Sequence, residues 1–380
     1  MGMGHPDMKA STERLPANNF DFLRFFFASL VVLSHSVPLS TGNESTEPLA
    51  LITQGQITFG TLAVNCFFII SGFLILHSWV ADPSTSQFLK KRCLRIYPAF
   101  LIVALLDAFL IAPGFSQNGY QGVDGRFTID FALNALRLDA KVAAPSFQSN
   151  PASGTVNGSL WSISYEFWCY IGVLALGLAG LALKRRLVAA MLIVCIVLGF
   201  VFEWRHLTPS GWIFGRVFGY PPFWARLLPY FLAGMVFYVF RDRIRYSLGG
   251  ALIATASLAV ACWIPHGLTI VLPIAGAYLI FWFAFLSIPR LRSFTRYGDF
   301  SYGIYLYSFP LLQIVAYWSV QANGKALSPW SLFLVAWPLS IGCAAISWHL
   351  LEKHCIGWAK KKRAADPTVE QSRRVLPAQR

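Results

Sequence analysis

Charge is scarce in this chain. Only 13% of its 380 residues are Asp, Glu, Lys or Arg, about half the ~25% usual in soluble domains. Hydrophobic residues make up 56%, and mean hydropathy is +0.55. This composition excludes an ordinary water-soluble enzyme and predicts a polytopic membrane protein. Cysteine offers no framework either. Cys66, Cys93, Cys169, Cys195, Cys262, Cys343 and Cys355 contain no CxxC pair, so neither disulfides nor a thiolate metal site is expected. The seven histidines show no HExxH spacing, and no metal is expected. No cleavable signal peptide is expected, because Met1 to Asn19 is polar and lacks a short apolar core with a small-residue cleavage site. No internal repeat is visible.

What is present is a series of apolar runs. They predict an all-α, polytopic membrane bundle of about ten helices, with limits near 20–39, 57–80, 95–112, 159–182, 187–204, 225–240, 247–264, 267–288, 300–319 and 330–351. Lys184-Arg185-Arg186 and Pro265-His266 read as tight turns between antiparallel neighbours.

Positive charge then assigns sides. Alternate connections, starting from the N-terminus, carry 23 of the 31 Lys and Arg residues. The opposite connections carry Arg126, Arg137, Lys141, Arg205, Arg216, Arg226 and Lys325, and Arg24 lies within the first helix. By the positive-inside rule both termini are cytoplasmic. The net charge of +14 is thus a topology signal, and no nucleic-acid partner is expected. The resulting organisation is a cytoplasmic segment 1–19, a transmembrane domain 20–356 and a cytoplasmic, disordered tail 357–380. One long extracytoplasmic loop, 113–158, interrupts the domain; it is rich in Gly, Pro, Ser and Asn and poor in core-forming residues.

Four stretches carry chemistry. The first helix holds Asp21 and Arg24 at its start and His35 towards its end. Asp21 and Arg24 are three residues apart and can pair at the membrane edge. His35 is either a histidine wetted at the interface or a functional group facing the bundle interior. Arg92 and Arg95 share one face at the start of the third helix. Two guanidiniums side by side suit a phosphate, or they anchor the helix at the cytoplasmic surface.

Gly158 to Tyr170 opens the fourth helix and contains Trp161, Ser162 and Glu166, the last about five residues into an apolar run. Such a carboxylate suits proton transfer or the orientation of a base; the alternative is a helix-start carboxylate favoured by the dipole. The ninth helix begins with Ser301, Tyr302, Tyr305 and Ser308, which read as interfacial aromatics and packing serines before a catalytic role. Asn65 in the second helix reads as polar glue. Helix rise places His35 ~22 Å from the inner side and Glu166 ~10 Å below the outer one, so the two are expected to share a layer. The arginine pair lies at the opposite side.

Together these stretches resemble the acyltransferase 3 family of integral-membrane acyltransferases. The matching residues are Asp21-Phe-Leu-Arg24 with His35; Phe67-Phe68 with Ser71-Gly72-Phe73-Leu74-Ile75; Arg92-Cys-Leu-Arg95-Ile-Tyr-Pro98; Leu160-Trp161-Ser162-Ile-Ser-Tyr-Glu166; and Ser301-Tyr302-Gly-Ile-Tyr305-Leu. The resemblance covers residues 20 to about 356. It implies ten helices and transfer of an acyl group, often acetyl, from a cytoplasmic donor such as acetyl-CoA, a co-substrate that is not permanently bound. The implied acceptor is a hydroxyl of a glycan, polysaccharide or lipid-linked sugar, and the implied location is the bacterial inner membrane. His35 becomes the essential histidine, Arg92 and Arg95 the donor-binding pair and Glu166 the essential acid. Two positions depart from the pattern: Ser308 stands where the family often has histidine, and Phe167 where an acidic or amide residue is common. A glycan or lipid transporter is the rival from another class, since buried His, Glu and Arg also mark substrate paths. The repeated halves and broken helices common in transporters are not evident.

Overall fold

A computed structural model describes residues 15–116, 125–139, 145–209, 212–292 and 294–364. Its regular structure is helical. Ten helices correspond to the ten expected segments: α1 (Phe20–Thr41), α2 (Phe59–Ala81), α3 (Thr85–Leu106), α4 (Ile163–Leu178), α5 (Arg185–Trp204), α6 (Pro221–Val239), α7 (Leu248–Ala261), α8 (Gly267–Ala284), α9 (Ser301–Asn323) and α10 (Pro329–Ser347). Seven are long and apolar enough to cross a membrane: α1, α2, α3, α5, α6, α8 and α10. α4 and α7 are shorter, and α9 carries Ser, Tyr and Gln at many positions along its 23 residues. Ile193, Val194 and Val197 on α5 and Leu334 and Leu339 on α10 are exposed, as a lipid-facing surface requires.

α2 lies at the centre of the bundle and is largely buried. It packs against α6 at backbone distance. A Cβ on Gly72 would meet the Phe231 carbonyl oxygen at 2.0 Å, and a Cβ on Gly234 would meet the Ile69 carbonyl oxygen at 2.0 Å. Each helix therefore needs glycine where the other's carbonyl approaches.

Three expectations are corrected. α3 begins at Thr85, not near 95, because Ser84 caps it by accepting from the Gln87 N–H at 3.5 Å. Arg92 and Arg95 thus lie about two and three turns inside the helix. α3 also continues past Leu106 as a π-helical turn, Asp107–Ile111, and runs on to Gly114.

The expected disordered tail from 357 is helical in its first part. A π-helical turn, Trp348–Glu352, leads from α10 into a helix over Lys353–Ala364, and Lys90 Nζ sits 5.5 Å from the Trp358 ring. Residues 365–380 lie outside the described residues.

The long loop is also more built than its composition suggests. Gly125–Leu136 is helical, and Phe147 and Val156 are buried. Buried Gln313 of α9 pins the loop's second half. Its Nε2 donates to the Ala152 and Thr155 carbonyls at 2.8 and 2.9 Å, and Asn150 Nδ2 donates to its Oε1 at 2.8 Å. One glutamine thereby satisfies polar backbone that would otherwise lie unpaired in the interior.

Candidate active site

Two cavities meet inside the bundle. The first, about 310 Å³, collects Arg24 from α1, Arg92 and Arg95 from α3 and Glu166 from α4. The positive charge is balanced from one side. Asp299, in the connection before α9, accepts from Arg95 Nη2 at 2.6 Å and from Arg24 Nη1 at 3.1 Å through one oxygen. Its other oxygen accepts from the Ser301 hydroxyl at 2.5 Å and the Ser301 N–H at 3.2 Å, fixing the start of α9. Burial alone would raise the Asp299 carboxyl, but Arg24 and Arg95 outweigh it and hold it well below the usual carboxylate range. Glu352, at the end of the π turn, lies 3.5 Å from Arg95 Nη1. Arg24 lies within electrostatic range of Asp21, its expected local partner, and also makes a hydrogen-bonded ion pair with Asp299.

Arg92 is held differently. Its Nη2 donates to Ser78 Oγ at 2.8 Å, and its guanidinium lies 5.8 Å from the Tyr170 ring. Its Nε is buried and has no hydrogen-bond partner among the described residues. Arg95 lies over Tyr302, 5.6 Å away, and the Tyr302 hydroxyl donates to the Ile96 carbonyl at 2.9 Å. An aromatic floor under paired guanidiniums, with N–H groups still available, suits a phosphorylated ligand.

Glu166 belongs to this arginine cavity. One of its oxygens accepts from Ser71 Oγ at 2.5 Å and from the Tyr170 hydroxyl at 2.6 Å. Glu166 and His35, expected to share a layer, line different cavities. The helix start near 159 is a 3₁₀ turn, Leu160–Ser162, and Ser71 and Tyr170 hold the carboxylate on the arginine side.

His35 lines the second cavity, about 360 Å³, with Ser34, Trp161 and Arg226. Its ring meets Phe309 edge to face at 5.0 Å, and its Nδ1 is buried without a hydrogen-bond partner among the described residues. On α1, His35 is eleven residues beyond Arg24, a rise of ~16 Å. The two cavities share Val64 of α2 and Tyr305 of α9. At that shared wall the Tyr305 hydroxyl and Ser162 Oγ are hydrogen-bonded at 2.7 Å.

A buried carboxylate bonded to Ser34, the residue before His35, holds this end together. Glu47 accepts from Ser34 Oγ at 3.0 Å and the Phe59 N–H at 2.5 Å through one oxygen. The Leu49 and Ala50 N–H groups donate to the other at 2.8 and 3.1 Å. Glu47 thus ties α1, the short helix Pro48–Ile52 and the start of α2 around the histidine cavity.

The sequence-expected residues separate into two groups. Arg24, Arg92, Arg95, Ser162, Glu166, Ser301 and Tyr302 line the arginine cavity; His35 and Trp161 line the other; Tyr305 lines both. Sequence reasoning missed Asp299, Glu352, Glu47, Tyr170 and Arg226 as members of these sites. Asp299 stands two residues before the Ser301 stretch, and Glu352 closes an apolar run, so both carried a signal. Glu47 sat in a polar connection and carried none.

Comparisons with known proteins identify the family. The acyltransferase 3 family model, described as an acyltransferase domain, matches residues 18–349. An "O-acetyl transferase" of Shigella phage Sf6 is 27% identical over 368 residues, covering 92% of this chain and 99% of its own. "Nodulation protein 10" of Rhizobium leguminosarum bv. viciae is 28% identical over 359 residues, covering 88% and 92%. An "Uncharacterized protein" of Haemophilus influenzae is 29% identical over 143 residues, covering 36% of this chain and 57% of its own. No solved structure matches at a significant level. The family match spans both cavities and the wall between them, and the chain belongs to the acyltransferase 3 family of membrane acyltransferases.

Proposed function

We propose that this protein moves an acetyl group from acetyl-CoA to a hydroxyl of a glycan or lipid-linked sugar at the bacterial inner membrane. The observation that carries the reading is the pair of cavities backing onto one wall at Val64 and Tyr305, one lined by arginines and the other by His35. In this reading the donor's phosphates occupy Arg92 and Arg95 at the cytoplasmic end. Its flexible arm runs along the bundle towards Tyr305. The name of the phage relative supports the acetyl donor, and the bias of Lys and Arg supports the sidedness.

The reaction needs one base and one acid. His35 takes the proton from the acceptor hydroxyl as its oxygen attacks the thioester carbonyl. The C–S bond then breaks, the sugar ester forms, and the CoA sulfur leaves with a proton returned from His35. Glu166, on the arginine side, takes no proton in this scheme. It fixes Ser71 and Tyr170, and Tyr170 forms the face beneath Arg92.

The test is acetyl-CoA binding to detergent-purified protein, wild type beside Arg92→Ala/Arg95→Ala, followed by transfer in His35→Ala. Binding lost in the double variant and transfer lost in His35→Ala are expected. Full transfer by a folded, membrane-inserted His35→Ala protein would sink the role given to that residue. Unaltered binding in the double variant would return the arginines to topology anchors.

A further inference from the structure

Arg226 has no role in the scheme above. It lies on α6, near the start of that helix, and was counted at the sequence level among the seven positive residues on the outer side. Its guanidinium lies 5.6 Å from the Trp161 ring. Its Nε is buried with no hydrogen-bond acceptor among the described residues, and the carboxylates of Glu44 and Glu203 act on it through space. A buried guanidinium N–H left without an acceptor is costly unless a ligand supplies one.

Its position identifies that ligand's side. Arg226 lines the His35 cavity and also a larger one of about 690 Å³, and both include Glu44, Thr61 and Phe223. The larger cavity adds Asn65, Glu203 and Tyr230. Aromatic faces beside hydroxyl, amide and carboxylate groups suit a polyhydroxylated ring, and a fork of N–H donors suits an oxyanion on it. The arginine cavity that would take the donor does not include Arg226.

We infer that Arg226 binds an oxyanion on the acceptor, so that the cavity beyond His35 takes a sugar bearing a carboxylate or a phosphate. The inference rests on the acyltransferase reading for calling this the acceptor side. The Trp161 ring lies beside the guanidinium that meets the incoming group, and the carboxylates of Glu44 and Glu203 accept from its hydroxyls.

The experiment titrates glucuronate, glucose 1-phosphate and glucose into purified protein saturated with CoA, following tryptophan fluorescence and melting temperature. A parallel series uses Arg92→Ala/Arg95→Ala, so that the donor cavity cannot supply the signal. Saturable binding of an anionic probe, about tenfold tighter than glucose, is expected in both series. Arg226→Gln should erase that preference while leaving CoA binding intact, and Arg226→Lys should restore part of it. Preference for glucuronate would identify a carboxylate, and preference for glucose 1-phosphate a phosphate. CoA binding with no anion preference, or a preference that survives Arg226→Gln, overturns this inference and leaves the acyltransferase reading standing. Loss of CoA binding in the wild type strikes that reading, while the double-variant series still decides the oxyanion site. Unchanged anion binding in an Arg226→Gln protein that no longer transfers would make Arg226 a transition-state stabiliser instead.

Discussion

Tyr305 and Ser162 meet at 2.7 Å at the wall between the arginine cavity and the His35 cavity. One comes from α9 and the other from the turn before α4, so the wall depends on two distant parts of the chain. Tyr305→Phe removes the hydroxyl and leaves the ring. Donor binding should stay within about twofold, while transfer should fall about fivefold, the worth of one hydrogen bond. Tyr305→Ala should open the wall and raise acetyl-CoA hydrolysis relative to transfer. Equal hydrolysis and transfer ratios in wild type and Tyr305→Ala would remove the wall from the mechanism.

Glu47 is fully buried and accepts four hydrogen bonds, three of them from backbone N–H groups. Glu47→Gln turns an NH₂ towards donors and removes the charge that stabilises two helix starts. A loss of about 1–3 kcal/mol is expected. Thermal unfolding in detergent measures it, and a melting temperature equal to wild type would refute it.

Asp299 joins Arg24, Arg95 and the first residue of α9. Asp299→Asn leaves two guanidiniums facing an uncharged amide and should destabilise by about 3 kcal/mol or more. The pH dependence has a definite sign. The folded carboxyl is held below its ordinary value, so its contribution is complete above the unfolded value of ~4 and is lost only as pH falls through the folded one. The difference in stability between wild type and Asp299→Asn should therefore stay constant from about pH 7 to about pH 5 and shrink only in stronger acid. A difference that already halves between those two values would contradict the pairing.

Gly72→Ala places a methyl group against the Phe231 carbonyl oxygen of α6. Overpacking of about 1–3 kcal/mol is expected, seen as a lower melting temperature or reduced insertion. Gly172→Ala is the control, because a Cβ there meets nothing within 4 Å. Equal behaviour of the two variants would show that α2 and α6 can separate freely.

Helix identity was legible because apolar runs of membrane length have few alternatives, and all ten expected segments are helical. Limits were less legible. The polar turns of Thr85–Lys91 read as a connection, although Ser84 caps them into α3. The residues singled out in the sequence line two cavities, and that division was not legible. Depth along separate helices places Glu166 and His35 at similar levels, but it says nothing of which face each presents. Ser71 and Tyr170 decide that question for Glu166, and their contact spans 95 positions of sequence in the case of Ser71. Asp299 escaped for the same reason: an acid reads as a helix-start residue until Arg24 and Arg95 are seen around it.

The paired glycines of α2 and α6 have a mechanical meaning. Val64 lies eight residues before Gly72, and Arg226 lies eight before Gly234. Both therefore stand ~12 Å along their helices from the same backbone contact. Sliding either helix by one residue would drive a side chain into a carbonyl. The partition wall and Arg226 are thus mounted on one inelastic frame, with their spacing set by backbone atoms. A machine that rocks to carry cargo across needs its halves to shear. This frame resists shear at its centre, which suits a fixed relay in which a small group is handed from one stationary chamber to the next.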